Sequence, residues 1–277
     1  MKNIPLSIIT INYNDAKGLQ KTIESVACQT WKNFEYIVID GGSVDGSQAV
    51  IENYKDSITY SVSEKDKGIY NGMNKGIKEA KGEYLLFLNS GDTLLNNTVL
   101  EVVHQSFLSD VSFLCGHLVY EQDGKTIVKE HPEKMTFSYL VSKTVYHPST
   151  FIKRSLFEKY GLYNEENRIV SDWEFFFKAL GLNGESYLKL NHAITDFDMM
   201  GISSSNQDKV QEEKSRVFGK YLPYMLNNEN DIYIFEKFKE TNKRFKLLKE
   251  IDKQPFFRKI TTLQLTFTKT IMKIFTK

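Results

Sequence analysis

A continuous apolar run at residues 85–88 ends abruptly in four small or polar residues, and this junction constrains the fold more than any other feature. The run has the sequence LLFL and is followed by NSGD at 89–92. Four apolar residues without polar alternation are typical of a strand covered on both faces, as in a parallel sheet between layers of helices. Because ligands of such sheets bind beyond the carboxyl ends of the strands, Asp92 is predicted to lie at a functional site.

Strands that end in acids recur along the first hundred residues. Strand patterns at 6–11, 36–40 and 58–62 alternate with helical patterns, Asp40 ends the second strand, and Asp66 follows the third. This alternation predicts an α/β fold with a parallel sheet and right-handed crossovers. A single acid at a strand end is more often a turn former, so only the recurrence favours a binding site.

Shorter elements are predicted after Asp92. The patterns indicate helices at 97–107, 154–160 and 171–180, strands at 111–118, 149–153 and 186–194, and a hairpin turn at Asp123-Gly124. We expect one α/β domain over residues 1–225 and a basic amphipathic helical extension over 226–277.

The C-terminal residues differ in charge from the rest of the chain. Residues 233–277 hold 12 Lys and Arg against 4 Asp and Glu, whereas the other residues hold 24 against 31. Apolar residues at helical spacing predict amphipathic helices at 234–248 and from Pro255 onward. Peripheral contact of 232–277 with an anionic membrane and packing on protein are equally good interpretations, whereas a membrane span is unfavourable. A nucleic-acid partner is not expected, because the body of the chain is acidic.

The N-terminus and the cysteines indicate a cytoplasmic protein, associated with the inner face of the membrane if the tail binds lipid. The chain enters a strand pattern at once, without an apolar signal segment. Cys28 and Cys115 lack metal-site spacing, and both are predicted to be reduced core residues.

Glycine-rich phosphate loops are not found. No GxGxxG follows the first strand, and Gly124-Lys125-Thr126 lacks the earlier glycine of a Walker loop. A bound phosphate would therefore need a metal or basic side chains.

Five segments, in this order, resemble the family 2 glycosyltransferases. They are IITINYN at 8–14, DGGSVDGS at 40–47, EKDKGIYNGMNKG at 64–76, GEYLLFLNSGD at 82–92 and SDWE at 171–174. The resemblance covers about residues 4–220. It implies the GT-A fold, a Rossmann-like, mostly parallel sheet sandwiched by helices, with a nucleotide-sugar donor, a divalent metal and inversion at the anomeric carbon.

Carried over position by position, the resemblance implies a donor site and a metal site. The residues implied to bind the nucleotide sugar are Thr10, Asn12, Asp40, Asp66, Lys67, Asn89 and Gly91. Segment 89–92 falls on the family's metal-binding Asp-x-Asp-Asp, but Asn89 and Gly91 replace two acids. Asp92 alone is thus expected to hold Mg²⁺ or Mn²⁺, hard cations that retain waters and bind phosphate oxygens.

Asp172 falls on the family's catalytic base, although Ser171 replaces the Glu that usually precedes it. The alternative is structural, since Ser171-x-x-Glu174 matches a helix capping box and the helix dipole favours an acid in the first turn. A capping box gives no reason for an acid at position 172, so we prefer the catalytic interpretation.

Three further residues are candidates for contacts with the sugar or the acceptor, namely His147, Gly201 and Ser203. His147 precedes a predicted strand and is interpreted as a neighbour of the sugar or acceptor, a metal ligand or a structural histidine. The segment at 201–204 resembles a loop that closes over the donor in relatives.

The sequence therefore predicts an inverting glycosyltransferase that uses a nucleotide sugar, UDP by family frequency, and a glycan or lipid-linked acceptor in surface-polysaccharide assembly, as for capsule or lipopolysaccharide. Two alternatives stay open. A nucleotidyltransferase would be expected to carry an early basic phosphate loop, but segment 12–18 has only Lys17. A catalytically weak nucleotide-sugar-binding scaffold would account for the altered metal segment.

Overall fold

The computed structural model describes residues 4–199, 206–225, 247, 251 and 254–275. The chain divides into two compact units, Met1–Lys214 and Ser215–Lys277, and each is described by itself. Gly201 and Ser203 lie outside the described residues, as does nearly all of the helix predicted at 234–248. The domain boundary after residue 225 stays a prediction.

Strands and helices alternate through the first part of the chain. The elements are β1 Leu6–Asn12, α1 Ala16–Ala27, β2 Phe34–Asp40, α2 Ser47–Asn53, β3 Tyr60–Ser63, α3 Ile69–Glu79 and β4 Tyr84–Phe87. All seven were predicted; β1, β2 and β4 are buried apolar runs, whereas β3 is a mostly exposed strand with the sequence YSVS.

The second part is more irregular. Its elements are β5 Thr93–Leu94, α4 Val99–Val103, β6 Phe113–Gln122, β7 Lys125–Lys129, α5 Phe137–Ser142, β8 Thr150–Lys153, α6 Ser155–Tyr160, α7 Ser171–Phe176 and β9 Tyr187–Asp196. A 3₁₀ turn at His147–Ser149 precedes β8, and α7 continues as a π-helical turn over Phe177–Leu182. The helices α8, Gln207–Met225, and α9, Pro255–Phe275, follow.

Nine strands of the described residues form one sheet, in the order β3-β2-β1-β4-β8-β6-β9-β5, with β7 paired to β6. β1 pairs in parallel with both β2 and β4, and β2 with β3. The α/β class and this parallel half are confirmed. β8 then runs antiparallel between β4 and β6, and Asp123 and Gly124 turn the predicted hairpin with φ of +51° and +69°.

Helices cover both faces of the parallel half. Leu86 and Leu88 pack with Leu19 and Ile23 of α1 on one face. On the other face α3 approaches β1 so closely that a Cβ added at Gly76 would lie 2.4 Å from Ile9 Cγ2. Side chains of the run 85–88 are 0% exposed, as expected for a strand buried on both faces. The strand ends are thereby held at one rim of the sheet.

One core prediction is wrong. Cys115 on β6 is buried, but Cys28 is exposed. Cys28 caps the C-terminus of α1, beyond the last turn of the helix, where its side chain no longer follows the apolar face.

Helix α9, in the second unit, exposes large apolar side chains. Phe256, Leu263 and Phe267 are 69%, 71% and 68% exposed. None of the helices in the described ranges is both long enough and apolar enough to cross a membrane.

Candidate active site

A cavity of about 760 Å³ lies at the rim where β1 and β4 end. Its wall combines Tyr13, Asn89 and Asp92 from the first part of the chain with His147 and Asp172 from the second. The volume is in the range of pockets that bind small molecules and cofactors. The fold therefore brings four of the predicted site residues, Asn89, Asp92, His147 and Asp172, to one wall.

Asp172 is held by side chains from two other elements. The Tyr70 hydroxyl of α3 lies 2.7 Å from Asp172 Oδ1 and 2.7 Å from the Ile169 carbonyl oxygen, so its one proton is shared between two acceptors. His147 Nδ1 lies 3.3 Å from Asp172 Oδ2. Burial by itself would raise the pKa of Asp172, but hydrogen bonds from His147 and Tyr70 and the charge of His147 outweigh it and lower this pKa. About 15% of the Asp172 side chain is exposed. Asp172 is thus a fixed, ionised carboxylate at the cavity wall.

Tyr70 was not among the sequence candidates. Burial, and then the nearby charge of Asp172, raise its pKa well above the ordinary value, so the hydroxyl stays a donor. Tyr70 lies within the GIYNGMNKG segment, but its link to Asp172 spans 102 positions. A sequence pattern does not show such a contact.

The capping box considered for Ser171 and Glu174 does not form. Ser171 is the first helical residue after Val170, and its buried hydroxyl has no hydrogen-bond partner in the described part of the chain. Glu174 instead accepts from Asn167 Nδ2 at 2.6 Å. The capping-box interpretation of the SDWE segment is therefore wrong, whereas Asp172 does lie in the first helical turn, where the dipole favours an acid.

A carboxylate from α8 binds the loop ahead of Asp172. Glu213 accepts hydrogen bonds from the backbone N–H groups of Arg168, Ile169 and Val170 at 2.9, 2.9 and 3.2 Å. Backbone N–H groups at the N-terminus of a helix often have no hydrogen-bond partner within the helix. An acidic side chain accepts hydrogen bonds from them, and its negative charge is favourable at the positive end of the helix dipole. This contact fixes the entry to the helix that carries Asp172.

Residues 89–92 form a tight turn fastened by α1. The Asp92 N–H donates to the Asn89 carbonyl at 3.0 Å, and Gly91 has a φ of +97°, which favours glycine. Thr22 Oγ1 donates to the Asp92 carbonyl at 2.7 Å and accepts from the Gly91 N–H at 3.1 Å. Thr22 thereby sets the position of Asp92.

The Asp92 carboxylate is deeply buried. Only 2% of Asp92 is exposed, and burial, the largest influence, raises its pKa to about 7. The backbone N–H of Asp198 donates to Asp92 Oδ1 at 3.1 Å. Asp198 was not a sequence candidate, although it follows a strand as Asp92 does, and that signal could have found it.

Asn12 and Asp40 face each other at the ends of β1 and β2. Asn12 Nδ2 donates to Asp40 Oδ1 at 2.6 Å, and Ser90 Oγ donates to Asn12 Oδ1 at 2.7 Å. Asp40 is 0% exposed and accepts further hydrogen bonds from Ser43 and Ser63. Burial would raise the pKa of Asp40, but these bonds together lower it. Asp40 thereby links the ends of β1, β2 and β3 by hydrogen bonds to Asn12 and Ser63.

The other residues predicted to bind the nucleotide sugar differ in how far they are buried. Thr10 is 0% exposed and its Oγ1 bonds to Tyr36 OH at 2.9 Å, inside the fold. Asp66 accepts from the Gly68 N–H at 2.9 Å and lies over Gly41, where an added Cβ would be 2.7 Å from Asp66 Oδ2. The adjacent Lys67 is exposed at the surface.

Four cationic side chains also line the cavity, namely Lys129, Lys143, Arg168 and Lys214. Lys214 Nζ lies 4.6 Å from the centre of the Trp173 ring, and burial lowers the pKa of this amine. Within the residues that the structure describes, none of the four forms an ion pair. The cavity therefore offers positive charge close to Asp172.

The side chains around Asp92 suit a hard divalent cation. Asp92 supplies a carboxylate, and Asn89 Oδ1 is buried without a hydrogen-bond partner among the described residues. No three His, Cys, Asp or Glu side chains of the described residues are grouped to hold a metal by themselves. Mg²⁺ and Mn²⁺ commonly take only one or two protein carboxylates, with waters and phosphate oxygens as the other ligands. The residues present fit such a cation.

Sequence comparison places the chain in a family. The pattern of "Glycosyl transferase family 2" matches residues 7–170. A glycosyltransferase of Mycobacterium tuberculosis is 34% identical over 218 residues, which cover 77% of this chain and 80% of that relative. The chain belongs to glycosyl transferase family 2, and it is a glycosyltransferase.

Solved structures share the fold. S. aureus TarS 1–349 in complex with UDP-GlcNAc has a TM-score of 0.62 at 18% identity, covering 91% of this chain and 80% of that one. The mannosyltransferase PcManGT of Pyrobaculum calidifontis, in complex with GDP-Man and Mn²⁺, has a TM-score of 0.60 at 15% identity, covering 80% and 65%. The GT-A fold expected from the sequence is confirmed.

Proposed function

We propose that the protein is an inverting glycosyltransferase that moves a sugar from a UDP-sugar to a hydroxyl of a glycan or lipid-linked acceptor in surface-polysaccharide assembly. The observation that carries this proposal is Asp172, an ionised carboxylate at the cavity wall with one hydrogen-bond partner on each oxygen. A general base needs a fixed position and the deprotonated form, and Asp172 has both.

Asp172 takes the proton of the acceptor hydroxyl as that oxygen attacks the anomeric carbon from the face opposite the nucleotide. The new carbon–oxygen bond forms while the bond to the diphosphate breaks, and the diphosphate leaves with the bonding electron pair. A single in-line displacement inverts the configuration. Tyr70 and His147 hold the carboxylate in place, which is a positioning contribution.

The first half of the chain supplies the donor site. Tyr13 is 67% exposed at the cavity wall, and Asp66 lies over Gly41 beside it. We assign the nucleoside to this region, with Lys67 nearby. Thr10, Asn12 and Asp40 are buried and hold the strand ends beside it. Complexes of TarS with UDP-GlcNAc and of PcManGT with GDP-Man support a nucleotide sugar on this fold.

Asp92 and the amide oxygen of Asn89 would hold Mg²⁺ or Mn²⁺, with Gly91 giving the turn its shape. When bound, this cation offsets the negative charge that grows on the leaving diphosphate. Mn²⁺ in PcManGT supports the assignment.

The acceptor is assigned to the side of the cavity that carries Lys143, Arg168 and Lys214. These cations suit an acceptor with phosphate, as a lipid-linked glycan has. Helix α9 carries exposed apolar side chains together with Arg258 and Lys259, and contains no Asp or Glu. We assign it to the surface of an anionic membrane, where such an acceptor is anchored.

The test combines donor binding with turnover. UDP-, GDP- and dTDP-sugars are compared by thermal stabilisation with and without Mn²⁺, since a bound donor raises the melting temperature by mass action. UDP-sugars should give the shift. Asp172→Asn should keep it and lose activity by about 10²–10⁴-fold.

The exposed Glu212→Gln serves as a control and should leave both readouts unchanged. Full activity in Asp172→Asn would overturn the assignment of the base. Donor binding without turnover in the wild-type protein would instead favour the binding scaffold.

A further inference from the structure

The carboxylate of Asp198 fills the space beside Gly91. A Cβ added at Gly91 would lie 2.5 Å from Asp198 Oδ2, 3.2 Å from its Cγ and 3.0 Å from its Cβ. These distances are far shorter than a van der Waals contact. Asp198 therefore stands where a side chain at position 91 would stand, and only glycine leaves it room.

The backbone connects the same two sites. Asp198 follows β9, which pairs with β5 directly after the 89–92 turn, through Thr93 opposite Asp196. The Asp198 N–H also donates to Asp92 Oδ1 at 3.1 Å. Asp198 is thus fixed against the turn by strand pairing and by a direct hydrogen bond.

Position 91 is one of the places where an acid of the family's metal segment is replaced. The structure places the Asp198 carboxylate beside position 91, and Asp198 follows a different strand, β9. A divalent cation bound beside both side chains would offset the repulsion between the two carboxylates. Asn89 Oδ1, buried and without a partner among the described residues, adds a third hard oxygen.

We propose that Asp198 supplies the second carboxylate of the divalent-cation site, in place of the acid missing at position 91. This inference rests on the cation assigned to Asp92 under the proposed function. It adds a residue 106 positions from Asp92. Asp198 and Asp92 bind the cation together, with phosphate oxygens and waters as the other ligands.

The test measures metal binding directly, without turnover. Mn²⁺ is titrated into the full-length protein with and without UDP, and free Mn²⁺ is followed by electron paramagnetic resonance. Asp198→Asn should weaken Mn²⁺ binding by about tenfold or more, since it removes one anionic ligand of a hard cation. The matched control is Asp196→Asn, which makes the same change at an exposed position two residues earlier, at the end of β9.

A second variant, in which the residues at 91 and 198 are swapped, tests the inference if Asp198→Asn folds poorly. The double variant Gly91→Asp with Asp198→Gly returns the carboxylate to the turn, where Asp tolerates a positive φ better than most residues. It should bind Mn²⁺ more tightly than Asp198→Gly alone. Thermal melting reports whether each variant is folded.

Unchanged Mn²⁺ affinity in Asp198→Asn would overturn the inference, as would equal losses in Asp198→Asn and Asp196→Asn. A swap variant that binds no better than Asp198→Gly would also count against it. Wild-type protein that binds no Mn²⁺ with UDP would overturn the cation assignment itself, while donor binding and transfer would still test the rest of the proposed function.

Discussion

The hydroxyl of Tyr70, in the first turn of α3, donates a hydrogen bond of 2.7 Å to Asp172 Oδ1, in the first turn of α7. One residue comes from the parallel half of the chain and the other from the irregular half. The bond therefore joins the region assigned to the donor with the proposed base.

Tyr70→Phe should move the pH dependence of the reaction. Without the Tyr70 hydroxyl the pKa of Asp172 rises, and a base with a higher pKa is protonated at a higher pH. The acidic limb of the kcat/KM profile should shift to higher pH. Tyr163→Phe is the matched control, because its ring lies 5.6 Å from that of Tyr70 and its hydroxyl has no hydrogen-bond partner within the described ranges. Superimposable profiles for the wild type and Tyr70→Phe would contradict this prediction.

Thr22→Val should loosen the turn that carries Asp92. Valine has nearly the same shape, but it leaves the partly buried Gly91 N–H without its partner and removes the hydroxyl that donates to the Asp92 carbonyl. We expect the free energy of unfolding in urea to fall by about 1–3 kcal/mol. The rise in melting temperature on binding of the nucleotide sugar should become smaller as well. Thr22→Ser keeps the hydroxyl and should retain most of the rise in melting temperature with nucleotide sugar. A Ser variant as impaired as the Val variant would show that the methyl group matters instead.

His131 should make the protein less stable in acid. His131 Nε2 accepts the Tyr146 N–H at 3.1 Å, so the neutral ring carries its proton on Nδ1 and donates to the Gly116 carbonyl at 2.9 Å. Burial, the largest influence, lowers its pKa to about 4 from 6.5. As the pH falls, His131 therefore binds a proton in the unfolded chain before it can do so in the folded protein. The free energy of unfolding should fall between about pH 6.5 and pH 4, by about 3 kcal/mol in all.

His131→Gln isolates this contribution from that of other titrating groups. The variant should be less stable than the wild type at pH 7.5, and the difference should shrink as the pH falls. Urea unfolding at pH 7.5, 6 and 5 measures it. A difference that stays constant over this range would show that protonation of His131 is not involved.

Helix α9 should bind anionic vesicles through its exposed apolar side chains. Replacing Phe256, Leu263 and Phe267 by Ser removes apolar area that would enter the interface, and sedimentation with anionic vesicles should fall. Arg258→Glu with Lys259→Glu should reduce binding to anionic vesicles in a salt-dependent way. Equal sedimentation of the wild type and the triple variant would leave packing on protein as the interpretation of this helix.

The sequence predicted the parallel half of the sheet because apolar runs and polar strand ends are local features. The family resemblance assigned Asp92 and Asp172 to one site, and the structure brings both to one cavity. The prediction for Cys28 failed because helical periodicity does not show where the last buried turn ends. Tyr70 and Glu213 were missed because their partners lie far away in the chain, whereas Asp198 follows a strand and could have been found by that signal. Segment 89–92 shows the loss of two acids, but only the fold shows that another carboxylate occupies the space at Gly91.

The clamp that Glu213 forms on residues 168–170 also has a consequence for biosynthesis. The ribosome makes the Asp172 helix first and the residue that fixes its entry about forty positions later. A growing chain that ends near residue 199 already contains all nine strands of the described sheet, yet it lacks the acceptor for three backbone N–H groups beside the proposed base. The sheet residues are therefore synthesised before Glu213, and the three hydrogen bonds to the loop ahead of Asp172 can form only after the first half of α8 has left the exit tunnel.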